Sequence, residues 1–144
     1  MEFQTASSRI AQKLAMARLQ PNGELLNGAL ATGSLWLEDG AWYLITNWHN
    51  ISGCNPTTHT AMSCTGFLPT HAVFNYIVTD PTQGGEIQQK MTWNRKVTPL
   101  YDSDNKPLWF EHPTHGHAVD VVALKLFDDS PENSNILSMP INRL

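Results

Sequence analysis

The chain has 144 residues, 41% of them hydrophobic and only 15% charged, which excludes a disordered polyelectrolyte and fits one packed domain. Folding a chain of this length buries about 68–70% of its surface, so it needs no staples to hold a core. A formal charge of -4 and a pI near 5.8 argue against nucleic acid or anionic lipid as partners, and no apolar run nears the ~18 residues of a membrane span. The first residues, Met1-Glu2-Phe3-Gln4-Thr5, lack the charged-then-apolar order of a secretory leader, so the chain reads as soluble and cytoplasmic. Residues 7–19 begin with serines and continue in good helix formers. Ile10, Leu14 and Ala17 recur at helical spacing, and a short helix packed on the main fold is expected. Pro21-Asn22-Gly23 stops it, which separates an N-terminal helical segment, 1–22, from a β domain, 23–144. Residues 30–37 and 42–46 are apolar-rich runs joined through Glu38-Asp39-Gly40-Ala41, a strong hairpin signal. Residues 70–79 read as a strand rich in β-branched and aromatic types, broken by Asp80-Pro81-Thr82-Gln83-Gly84-Gly85, and 88–97 as another. Residues 119–127 form a near-continuous apolar run that suggests a strand buried on both faces, with Lys125 reaching out. Short strands between Gly/Pro turns, with almost no helix after residue 20, point to a mainly β fold, an antiparallel barrel or sandwich. The stretch 128–144 fits that scheme poorly, because its polar loop is followed by no clear strand.

Two residue types interrupt this apolar vocabulary where chemistry could reside. Asp120 lies within Val119-Asp120-Val121-Val122-Ala123-Leu124, and a carboxylate among such neighbours must be hydrogen-bonded or paired. It either caps the strand start through backbone N–H groups or orients a histidine. His49 ends the run Tyr43-Leu44-Ile45-Thr46-Asn47-Trp48-His49, where an apolar strand gives way to the polar turn Asn50-Ile51-Ser52-Gly53.

Together these stretches resemble the trypsin-like (chymotrypsin-fold) serine peptidases. Ala31-Thr32-Gly33-Ser34-Leu35-Trp36-Leu37, the Asp-Gly hairpin and the strand ending Thr46-Asn47-Trp48-His49 are similar to that family's first barrel strands. Asp120-Val121-Val122-Ala123-Leu124-Lys125-Leu126 is similar to its Asp-apolar-x-x-Leu-x-Leu segment. Leu100-Tyr101-Asp102 and Pro107-Leu108-Trp109-Phe110-Glu111-His112-Pro113 more narrowly resemble bacterial trypsin-like peptidase-domain proteins. The resemblance implies an antiparallel Greek-key β-barrel, one of two in the family's fold. It implies His49 as general base, Asp120 as its orienting acid, a polypeptide substrate and no cofactor. It covers roughly residues 28–53 and 100–127, and Asn50 stands where the family more often has an apolar residue.

The family's nucleophile sits in a Gly-x-Ser-Gly turn after the Asp, and these residues contain none. Ser34 and Ser52 read as strand and loop serines. The chain therefore reads as the N-terminal barrel of such an enzyme, inactive alone, with an apolar face that favours self-association or a missing second barrel. A non-catalytic binding or scaffold barrel is the reading of a different class. A third is a zinc module: Cys54, His59, Cys64 and His71 fall at C-x4-H-x4-C-x6-H, with His112, His115 and His117 as a second group, although neither spacing is a recognised zinc pattern. Two cysteines without a leader read as a reduced pair.

Overall fold

In a computed structural model of the chain, the described residues are 11–63, 65–80, 90–138 and 140–143. Among these residues seven strands are formed: β1 (Ala11–Leu19), β2 (Leu25–Glu38), β3 (Ala41–Thr46), β4 (His71–Asp80), β5 (Lys90–Pro99), β6 (Trp109–Phe110) and β7 (Val122–Asp128). One short helix, α1 (Trp48–Ser52), follows β3, and 3-10 turns lie at Pro131–Asn133 and Ile141–Arg143. The strands make one sheet in the order β5-β4-β1-β2-β3-β7-β6, with every ladder between them antiparallel.

The expected helix is overturned over residues 11–19, which form β1; residues 7–10 lie outside the described residues. Gln12, Leu14 and Met16 point inward and Lys13 outward, a period of two. Ala17 is buried as well, because a bulge between Met16 and Ala17 shifts the register there. Gly28 is the extra residue on β2, and a Cβ there would lie 2.3 Å from the Phe67 ring. Ala, Lys, Gln, Leu and Met are good helix formers, but β2 on one side and β4 on the other supply backbone partners that propensity cannot outweigh.

The Asp39-Gly40 turn behaves as expected. Both residues take positive φ, +48° and +71°, as a two-residue hairpin between Glu38 and Ala41 requires. β4 and β5 also fall close to their expected positions. The β7 strand starts at Val122 rather than Val119 and has one buried face rather than two: Val122, Leu124 and Leu126 are buried, while Val121 and Lys125 are exposed.

Among the described residues the sheet is not closed into a barrel, since no ladder joins β5 at one edge to β6 at the other. Its ends do curl towards each other. The Lys96 ammonium stands 5.7 Å from the Phe127 ring centroid, and Tyr76 and Phe127 are 5.7 Å apart. Where a closing ladder would run there is an open cleft of about 500 Å³, lined by Thr98, Leu108, Leu124 and Leu126 among others. β6 is only two residues long and cannot span that edge. The concave side holds the core, built on Leu14, Met16, Leu35, Leu44, Phe74, Leu100, Val122 and Leu124.

The polar stretch after β7 pairs with backbone groups of β4 and β2. Leu137 N–H donates to Ile77 O and the Ser138 hydroxyl accepts from Ile77 N–H. Further on, Pro140 bridges to Leu35, and Asn142 reads both backbone groups of Leu37. Residues 135–138 thus line β4 and residues 140–142 line β2, which satisfies strand edges without a regular strand.

Candidate functional site: a histidine and an aspartate at adjoining strand ends

β3 delivers His49 through a short, fully specified exit. Thr46, the last strand residue, is buried and donates through Oγ1 to Thr32 O at 2.9 Å. Asn47 keeps an extended backbone (φ -79°, ψ 144°) and opens α1, whose five residues include His49. Gly53 then ends the helix in the left-handed region at φ +71°, and its N–H caps His49 O at 3.0 Å. A Cβ on Gly53 would also come within 2.7 Å of Pro69 Cδ, so both conformation and space call for glycine.

Asp120 lies two residues before the start of β7. Val121 N–H reaches back to Val119 O at 2.8 Å, closing a γ-turn with Asp120 at its apex. β3 and β7 are ladder neighbours with Thr46 opposite Val122, so the residues just past one strand's end and just before the other's start meet. Asp120 Oδ2 lies 2.5 Å from His49 Nδ1, and Oδ1 accepts His49 N–H at 2.9 Å. Asn47 Nδ2 donates to Asp120 O at 2.9 Å, which ties the two backbones together. A carboxylate only accepts, so Nδ1 carries the proton and, in the neutral ring, Nε2 holds a lone pair. The two side chains are 31% and 32% exposed, so the pair lies partly open to solvent. A cavity of about 190 Å³ adjoins the ring, lined by Leu30, Met62 and Phe67 among others.

The structure therefore brings together the two residues singled out as a base and its orienter, 71 positions apart in the chain. Two supporting residues were missed. Asn47 braces Asp120, and Glu111 Oε1 accepts from both Trp48 Nε1 (3.0 Å) and Trp109 Nε1 (3.1 Å). The signal for Glu111 was available in principle, because two tryptophans in apolar surroundings need an acceptor and Glu111 directly follows one of them.

The Cys/His groups are dispersed differently from either grouping made on spacing. Cys54 is a free, half-buried thiol in an isolated bridge to Ala61, and Cys64 lies outside the described residues. His71 opens β4 and meets Thr70 Oγ1 at 2.9 Å. His112 and His115 stack on one another at 5.0 Å, while His117 turns to His59. Among the described residues no three His, Cys, Asp or Glu side chains converge as a metal site, and no helix is long and apolar enough to cross a membrane.

The fold and site together define an open antiparallel β-sheet domain with a hydrogen-bonded His–Asp pair at the ends of two neighbouring strands. No family model, curated protein or solved structure matches the chain.

Proposed function

We propose that this chain is the histidine- and aspartate-bearing portion of a trypsin-like serine peptidase, its curled sheet serving as one Greek-key barrel of two. The observation that carries the reading is the clamp of one carboxylate on His49: Oδ2 against Nδ1 and Oδ1 against the backbone N–H. A carboxylate recruited only to cap a turn has no need of the ring nitrogen as well. In the complete enzyme, Nε2 would take the proton of a serine hydroxyl as its oxygen attacks the scissile carbonyl, and would return it to the leaving amine. Asp120 would hold the tautomer and face the imidazolium formed in between. The serine and its oxyanion donors would come from a Gly-x-Ser-Gly segment that these 144 residues do not contain, so they form no acyl-enzyme by themselves. The missing serine favours a second reading, a binding domain on the same sheet.

One experiment separates the two. The 144-residue chain and the full product of its reading frame are treated with a fluorophosphonate probe and assayed on unstructured polypeptide. The chain alone should neither label nor cleave. A longer product should label at a serine, and His49→Ala should abolish labelling. A reading frame without such a serine, or labelling indifferent to His49→Ala, overturns the peptidase reading.

A further inference from the structure

A second pair of histidines, outside the His49–Asp120 contact, brings two imidazole nitrogens together. His59 Nε2 and His117 Nε2 face each other at 3.0 Å, their rings edge to face at 78° with centroids 4.6 Å apart. Two bonds of about 2.0–2.1 Å at a tetrahedral angle would place such nitrogens about 3.3 Å apart, so a small opening of the pair admits a zinc-sized ion.

Both rings are positioned by their loops. The Asn55 side chain accepts from Thr57 and Thr58 N–H, its backbone closes on His59 and Thr60, and His59 at the tip takes a left-handed φ of +59°. His117 follows Gly116, which closes its own loop onto His112 O at 2.8 Å. The His117 ring stacks on Trp48 at 4.7 Å and 26°, and Glu111 holds that indole in turn. Two imidazoles held in this way keep their Nε2 atoms convergent before any ion arrives. In the neutral pair one ring carries the Nε2 proton and the other accepts it. Moving that proton to Nδ1 of the same ring frees both lone pairs, with no net proton lost.

We propose that His59 and His117 bind one first-row divalent transition ion, of the Cu²⁺, Ni²⁺ or Zn²⁺ kind, through their Nε2 atoms. Water completes the shell, since no third protein ligand converges among the described residues. Imidazole donors select these ions over Mg²⁺ and Ca²⁺, with Cu²⁺ held most tightly. Two ligands rather than four leave the affinity well short of that of a structural zinc site. The ion would tie the loop after α1 to the loop that leads into Asp120, and so brace the segments on either side of the His49–Asp120 contact.

The test is calorimetric titration of the full chain with Cu²⁺, Ni²⁺, Zn²⁺ and Mg²⁺, with the ring nitrogens followed by NMR. One equivalent of each transition ion should bind, with Zn²⁺ shifting and the paramagnetic Cu²⁺ and Ni²⁺ broadening the Nε2 signals of His59 and His117, and Mg²⁺ should do neither. His59→Ala and His117→Phe should each weaken binding at least about tenfold. The phenylalanine keeps the stack on Trp48, so its loss of binding with an unchanged circular dichroism spectrum reports the nitrogen rather than the fold. His71→Ala and the His112→Ala/His115→Ala double variant should bind as the parent does. No binding at about 1 mM ion, binding that survives in the His59→Ala/His117→Phe double variant, or binding lost in His49→Ala overturns the proposal.

Discussion

Asp120 shows how much one side chain can organise. Its two oxygens serve the ring and the backbone of His49, and its carbonyl serves Asn47. Replacing Asp120 with alanine removes two charge-assisted hydrogen bonds from a half-exposed site. Stability in urea should fall by about 1–3 kcal/mol with an unchanged slope. Asp120→Asn should cost less, yet it should move the His49 Nδ1 proton resonance upfield, because a neutral amide oxygen is the weaker acceptor. Tyr101 carries the other legible residue-scale effect. Burial, reinforced by the charge of Cys54, raises its pKa above 10.0. The folded state then holds the phenol proton more tightly than the unfolded chain does. This contribution is complete below about pH 10 and is lost as pH climbs through the raised value. The urea midpoint of the parent should therefore drop more steeply above about pH 10 than that of Tyr101→Phe, whose ring can keep the edge contact with Trp109. Parallel alkaline limbs for the two proteins would contradict this.

At the scale of the element, β1 separates propensity from context. Leu14 is fully buried in the core, and Leu14→Ala should destabilise by about 2–5 kcal/mol. Ala15 lies outside that core on an open groove shared with Lys13, Asn75 and Trp93, so a larger side chain has room. Ala15→Thr should be neutral or slightly stabilising, because a β-branched residue suits a strand flanked on both sides. In a helix the same change would cost roughly 0.5 kcal/mol, so chemical denaturation of this one variant distinguishes the two structures.

At the scale of the molecule, the convex surface of β2, β3, β7 and β6 carries an open hollow of about 480 Å³, lined by Trp36, Tyr43, Ile45, Phe110 and Ala123 among others. Phe110 is 61% exposed, on the strand paired to β7 near Asp120. Such a patch on the strands that carry the His–Asp pair is where a second barrel would seat in the proposed enzyme, and without it copies of the chain should meet there. Light scattering after gel filtration should show mass rising with concentration, and Phe110→Lys should restore the monomer. A parent that stays monomeric at high concentration removes this surface from the argument.

Features encoded by short-range chemistry were legible along the chain. Asp39-Gly40 marked a hairpin because two consecutive positive φ values suit few other pairs, a β-branched and aromatic run marked β4, and a near-continuous apolar run marked β7. His49 and Asp120 were visible as polar breaks at apolar strand ends. Long-range packing was needed to make residues 11–19 a strand, to leave the sheet open at β5 and β6, and to set residues 135–138 on β4 and 140–142 on β2. It alone set Asn47 and Glu111 behind the pair and His59 against His117. The reason is common to all of these. Each depends on which distant backbone edge or side chain becomes a neighbour, and that is settled by the packing of the whole sheet rather than by the residues alongside in the chain.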